Sequence, residues 1–244
     1  MLAKKEQRQR SDVLKKTRAT RHNLAKPSNP KSLNGQTNGI KNGDKQMKKI
    51  FIFLAVLHVA VLAQTLLTDP RDNKTYKTTK IGSQVWLAEN LNYNASGSKC
   101  YDNKESNCQK YGRLYNWSTA TKACPSGWHL PSDAEWDILM ATVGDRYTAG
   151  EFLKAKNGWN YNNDEGISGN GTDAYGFVAL PSGLGRYDGN FRYVGDVGHW
   201  WSSSATEGST YDVYVRFMLY NGKSVGRSED HKDDNLFSVR CVKN

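Results

Sequence analysis

The chain has 244 residues, with 34 Lys/Arg against 24 Asp/Glu for a formal charge of +10, but the excess is uneven. The first 50 residues hold 14 basic and 3 acidic groups and residues 51–63 hold none, which leaves 20 basic and 21 acidic groups from Gln64 onward. A nucleic-acid interface needs a basic face on the folded part, so nucleic acid is excluded as an expected partner.

Residues 1–46 are rich in Lys, Arg, Asn and Gln and nearly free of aromatics. Such a stretch buries too little apolar surface to offset its ordering entropy. It reads as a basic disordered leader or, because Met47 is a natural initiator, as an over-extended gene start. Met47-Lys48-Lys49 then leads into the uncharged run Ile50–Ala63. These are the n-region and h-region of a signal peptide over residues 47–63, with Val61-Leu62-Ala63 at the cleavage positions. The rival reading is an uncleaved anchor. The run is shorter than the roughly 20 residues a spanning helix needs, although Leu66 and Leu67 would lengthen it. The favoured signal reading makes the protein secreted or cell-surface, with membrane contact only through the signal segment if it stays uncleaved.

Residues 64–244 suit one domain. Tyr76–Ile81 and Gln84–Leu87 flank Gly82-Ser83, a hairpin with a two-residue turn. Gly112–Ala123 is expected to be a short helix. The best-signed stretch follows, from Cys124 to Gly144. Ser132 and Glu135 form a capping box, and Trp136, Leu139, Met140 and Val143 make one apolar helical face that Gly144 ends. A weaker helical piece covers Gly150–Lys156. Asn157–Gly198 is dominated by Gly, Asn, Asp and aromatics and reads as a long irregular region. Beyond it Tyr211, Val213, Val215, Phe217 and Leu219 alternate on one strand face, and Asn221-Gly222 is a hairpin signal. Phe237, Val239 and Cys241 share a face. Helices and strands kept apart in sequence indicate an α+β domain with two main helices, antiparallel strands and long irregular loops.

All four cysteines, Cys100, Cys108, Cys124 and Cys241, follow the signal, and an even count in an exported chain reads as two disulfides with three possible connectivities. Proximity favours Cys100–Cys108 as a local staple, and Cys124–Cys241 would tie the principal helix region to the final strand. Metal binding by these cysteines lacks CxxC spacing.

Several motifs resemble those of the Fibrobacter succinogenes major paralogous domain. They are Ile81-Gly82-Ser83-Gln84-Val85-Trp86-Leu87-Ala88-Glu89-Asn90-Leu91-Asn92, Gly112-Arg113-Leu114-Tyr115-Asn116-Trp117, Cys124 to Pro131, Gly176 to Gly183, Trp200 to Ser204 and Ser238 to Val242. The resemblance runs from about Asp69 to the C-terminus and implies an exported bacterial protein of a family without an established activity. The same motifs are similar to the C-type-lectin-like fold, including its formylglycine-generating-enzyme branch. The chain departs from both activities: the Glu-Pro-Asn and Trp-Asn-Asp motifs of calcium-dependent lectins are absent, and two bridges would use up the thiols. Shared fold does not carry function across.

The expected binding surface is the irregular region, where Trp159, Tyr161, Tyr187, Phe191 and Tyr193, with Trp200 just beyond, sit among polar residues. Aromatic platforms beside a few polar anchors suit sugar rings. The competing reading is that these rings hold down a long loop by their own burial. Trp86, Trp117, Trp128, Trp136 and Trp201 are assigned to the core. Asn160, Asn162, Asp164, Glu165 and Asp173, with Asn163 and Asn170 between them, are oxygen-rich enough for calcium, the one cofactor the chain suggests. Turn formation explains the same residues. No spacing singles out catalytic residues. The expectation is an exported, non-catalytic module that recognises polysaccharide or another cell-envelope component. The alternatives are a structural or protein–protein interaction domain, with a cell-surface protein as partner, and a glycan- or protein-modifying enzyme.

Overall fold

A computed structural model describes residues 65–244, so the leader and the whole signal segment, residues 47–63, lie outside the described residues. The described chain opens with an antiparallel meander, β1 (Thr65–Thr68), β2 (Thr75–Ile81) and β3 (Gln84–Leu87). Ile81 pairs with Gln84 across the expected two-residue turn, where Gly82 takes φ +59°. A helix that no periodicity announced, α1 (Glu105–Tyr111), starts inside the Cys100–Cys108 loop, carries Cys108 and runs on beyond it.

The stretch Gly112–Ala123 is only partly helical. It gives first β4 (Leu114–Tyr115) and then α2 (Trp117–Ala123). A cap sets that boundary: Asn116 is extended, and its Oδ1 accepts the Thr119 N–H at 2.9 Å. After β5 (Trp128–His129) comes the principal helix α3 (Asp133–Val143), started by the expected capping box. The Glu135 N–H donates to Ser132 Oγ, and the Ser132 N–H donates to Glu135 Oε2 at 2.7 Å. Trp136, Leu139, Met140 and Val143 are all buried. The weaker piece is α4 (Ala149–Leu153). There Gly150 lies so close to the Lys223 and Ser224 carbonyls that an added Cβ would stand 2.7 Å from each oxygen.

Much of the stretch expected to be irregular is sheet. It holds the small hairpin β6 (Tyr161–Asn162) and β7 (Ile167–Ser168), then β8 (Ser182–Arg186), β9 (Phe191–Val194) and the start of β10 (Val197–Ala205). Glycines at 183 and 185 hide β8, because they erase the side-chain alternation that marks a strand. The chain ends with β11 (Asp212–Leu219), β12 (Gly226–His231), β13 (Asn235–Ser238) and β14 (Val242–Lys243). One sheet has the order β1-β2-β3-β14-β5; the larger runs β12-β11-β10-β13-β8-β9, with β4 beside β13. The last strand thus sits between early strands, Val242 pairing with both Trp86 and His129.

Most pairings are antiparallel, and four short-to-medium helices accompany the strands among the described residues, giving an α+β fold weighted toward β. The larger sheet is covered on both faces. Trp200 and Trp201 are neighbours on β10 and so point to opposite faces, yet both are 0% exposed. Trp200 packs with Trp86, Trp136, Phe177 and Met218; Trp201 packs with Tyr115, Val213, Val215 and Phe237. This corrects the simple alternation expected for β11. Tyr211 and Leu219 are exposed, whereas Arg216 and Met218, on the opposite face, are buried. The reason is α3, which covers that face. Arg216 forms ion pairs with Asp133 and Asp137 of the helix, the latter at 2.8 Å.

Asn221-Gly222 is also not a two-residue turn. It belongs to a six-residue connection between β11 and β12. The ammonium of Lys154 is lodged in that connection, donating to the carbonyls of Gly222 (2.8 Å) and Leu219 (3.2 Å). Of the tryptophans assigned to the core, Trp86, Trp136 and Trp201 are fully buried, while Trp117 and Trp128 are half-buried against it.

Both expected disulfides are present, Cys100–Cys108 and Cys124–Cys241, separated by 8 and 117 residues. Loop-closure entropy makes the long bridge worth roughly 5 kcal/mol and the short one roughly 2.5 kcal/mol. A Cys124→Ser/Cys241→Ser variant should therefore lose about twice the unfolding free energy lost by Cys100→Ser/Cys108→Ser, measured by denaturant titration. A second expectation concerns the capping box. Burial alone would raise the Glu135 pKa; the Ser132 N–H and hydroxyl and the His129 ring, 2.7 Å away, outweigh it and hold the carboxylate below its ordinary value. A depressed folded pKa contributes stability that is full above the ordinary value and lost as pH falls through the folded one. The gap in Tm between wild type and Glu135→Gln should be constant near neutrality and close below about pH 4.

Candidate functional site

At the outer end of β8 and β9 lies a groove of about 310 Å³. Five stretches of chain meet there: Gly97–Lys99, Asn103 in the small disulfide loop, Asn116, Arg186–Phe191, and Asp233–Leu236 at the start of β13. The β8–β9 turn presents the aromatic side. Arg186 N–H donates to Asn190 O at 2.9 Å, Gly189 takes φ +82°, and Asp188 Oδ1 accepts the Asn190 N–H at 2.9 Å. That turn leaves Tyr187 73% exposed, the most exposed of the large aromatic rings among the described residues. Its backbone is nevertheless fixed, because the Tyr187 N–H donates to Asp234 O at 2.8 Å.

Phe191 forms a firmer part of the wall. Its ring lies 5.4 Å from that of Tyr101, inside the loop closed by Cys100–Cys108. The short bridge therefore braces the groove as well as its own loop. Asn235 is held in register opposite Arg186, and its amide donates to both Asp230 oxygens, at 2.9 and 3.1 Å. Asn116, the cap of α2, closes another side. The result is one exposed ring, one braced ring and several hydrogen-bonding groups around an open cleft, an arrangement suited to a flat polar ligand with an apolar face.

Of the rings expected to bind, only Tyr187 and Phe191 meet at this groove. Tyr161 and Tyr193 are about half exposed and lie outside it, on β6 and β9. Trp159 and Trp200 are corrections: both are core residues, 5% and 0% exposed. Each indole N–H has an internal acceptor, Ala179 O at 3.0 Å for Trp159 and Asn90 Oδ1 at 2.9 Å for Trp200. A buried Trp needs such a partner, and neither ring offers a free face.

The oxygen-rich residues are scattered by turn chemistry. Asn162 Oδ1 accepts the Asp164 N–H at 3.2 Å, Asn170 Oδ1 accepts the Trp159 N–H at 3.0 Å, and Asp173 Oδ1 accepts the Val178 N–H at 2.8 Å. Burial raises the Asp173 pKa against the pull of that N–H. Asn160 Nδ2 donates to Asp196, while Asp164 and Glu165 stand exposed at the β6–β7 turn. Among the described residues, one group of three His, Cys, Asp or Glu has ligand atoms within 4.8 Å, namely Cys100, Glu105 and Cys108, and its two sulfurs are bonded to each other.

A second cavity, of about 420 Å³, lies beside Glu165, Tyr220 and Lys154. Burial pushes the Lys154 pKa down to about 8, and its ammonium sits 5.0 Å from the Trp159 ring centre. With its protons on two turn carbonyls, Lys154 is a plug for the β11–β12 connection. The polar and charged groove residues that sequence reasoning missed are Lys99, Asn103, Asn116, Arg186, Asp233 and Asn235. Arg186 stands next to Tyr187 and was within reach; the others come from segments whose meeting only the fold reveals.

The profile of the Fibrobacter succinogenes major domain matches residues 79–243. The chain belongs to this family. No curated protein and no solved structure matches it. In this Fibrobacter succinogenes major domain the matched span contains the whole groove, both disulfides and the two-faced sheet.

Proposed function

We propose that this Fibrobacter succinogenes major domain is an exported recognition module that binds polysaccharide without catalysis, through the groove beside Tyr187. The observation that carries the reading is the pairing of an exposed ring on a fixed backbone with a cleft lined by amide and charged groups. A sugar ring has one apolar face to stack and a rim of hydroxyls to bond, which is the complement of that cleft. All four cysteines are in bridges, which fits an oxidising extracellular setting and supplies no thiol nucleophile. A C-type-lectin-like fold belongs to the same proposal: the last strand lies between early strands, a bridge joins the end of α2 to that terminus, and long loops carry the groove.

The test is binding of the purified protein to a panel of soluble and insoluble polysaccharides, with and without chelator. Tyr187→Ala should weaken binding about tenfold or more, equivalent to about 1.4 kcal/mol, with thermal stability unchanged because the ring is exposed. Tyr161→Ala should leave binding intact, and chelator should not matter, since the oxygen-rich residues lie outside the groove and Asn162, Asn170 and Asp173 serve backbone N–H groups. No saturable binding to any glycan would overturn the reading and favour a protein partner at the cell surface.

A further inference from the structure

The groove carries charged side chains as well as rings. Arg186 is half-buried on its wall, and its Nε is buried without a hydrogen-bond partner. Its guanidinium makes no ion pair or side-chain hydrogen bond with any described residue. Arg113 Nε and Arg240 Nε are likewise unpartnered, but these and the other inward-facing guanidinium groups have other partners: Arg71 pairs with Asp69, Arg113 with Glu105, Arg216 with Asp133 and Asp137, and Arg240 with four oxygen acceptors. Asp188 shares the turn with Arg186 but lies outside ion-pair distance, and its Oδ1 already accepts the Asn190 N–H. Lys99, on the facing stretch, is exposed and likewise unpaired. Among the lining residues Lys99 and Arg186 face one carboxylate, Asp233, while Asp188, whose pKa the Arg186 charge helps to lower after the Asn190 hydrogen bonds, stands just outside.

We propose that the groove selects acidic polysaccharide, with a sugar carboxylate of the uronic-acid type held by Arg186 while the ring stacks on Tyr187. This rests on the polysaccharide reading and narrows it. A guanidinium presents its donors in a planar fork that matches a carboxylate, and here the fork is preplaced with its donors unspent. The ligand carboxylate meets the two Nη groups, which reach the cleft and bond no described residue, while the buried Nε stays behind them. Lys99, exposed to solvent, adds only a screened long-range attraction. Asp233 accepts hydroxyl protons at the other rim and disfavours polyanions too dense in charge to avoid it. A weakly acidic glycan with one carboxylate per sugar fits this balance.

The experiment compares polygalacturonate with its methyl ester, two polymers of one backbone that differ in the carboxylate charge. The purified protein with both disulfides formed should bind the free acid about tenfold tighter than the ester, and the ratio should shrink as salt screens the charges. Arg186→Gln should bring the ratio close to one while ester binding persists. Arg186→Lys should retain part of it, since charge survives and the fork does not. Arg192→Gln, an exposed arginine outside the groove lining, should leave the ratio unchanged, and near-ultraviolet circular dichroism would establish that each variant folds. Equal binding of acid and ester, or a preference that survives Arg186→Gln, would overturn the assignment and leave the polysaccharide reading standing. Binding of neither polymer nor of any neutral glycan would overturn both. A preference lost equally in Arg192→Gln would show a diffuse charge effect and would also overturn it.

Discussion

A single fully buried arginine joins the three parts of the chain on which everything else is hung. Arg240 lies between β13 and β14, and its Nη1 donates to the carbonyls of Leu87 (3.1 Å) and Phe177 (2.5 Å). Its Nη2 donates to Asn90 Oδ1 (2.7 Å) and Val178 O (3.2 Å), and the guanidinium sits 4.5 Å from the Phe177 ring centre. Burial pushes its pKa down to about 9, and carbonyl oxygens rather than a carboxylate hold the charge. The cost of dehydrating a cation is offset only where such acceptors are already fixed. Arg240 therefore demands that the opening hairpin, the 177–178 corner and the C-terminal stretch be in place together.

The corner shows what this cooperation can hold. Val178 takes φ +52°, a geometry that a β-branched residue avoids and that costs on the order of 1–3 kcal/mol. It persists because its N–H is bound by Asp173 and its carbonyl by Arg240. From that corner the chain runs directly into β8, whose first residue, Ser182, shares a 2.8 Å hydrogen bond with Ser238. The far end of β8 is Arg186. The groove is thus set by a strand whose near end is locked into the polar centre, and its rings are positioned by the fold before any ligand arrives. Preplacement of this kind lowers the ordering cost of binding.

What could be read from the chain alone was what neighbours decide. The capping box at Ser132 and Glu135, the turn at Gly82 and the inward face of Phe237, Val239 and Cys241 are local patterns, and each holds in the structure. The failures occur where distant groups intervene. Leu114 and Tyr115 form a strand because β13 is there to pair with them, and the Arg216 face of β11 is buried because α3 covers it. The candidate site was half legible for the same reason. A run of rings among glycines and asparagines marked the region, but composition does not separate Trp159, whose indole N–H finds Ala179, from Tyr187, which a turn thrusts outward. Lys99, Asn103 and Asp233 carry no signal of their own, since they become a site only when five segments converge.

The claim that this groove is the recognition surface is tested most directly by mapping, residue by residue, where a ligand sits. Amide and arginine side-chain chemical shifts would be followed by NMR during titration with short galacturonate oligosaccharides. The expected perturbations cluster at Gly97–Lys99, Asn103, Arg186–Phe191 and Asp233–Leu236, with the Arg186 Nε–H among the largest. Perturbations centred on the β6–β7 hairpin and Lys154, or saturable binding that leaves Arg186 and Tyr187 unmoved, would contradict it.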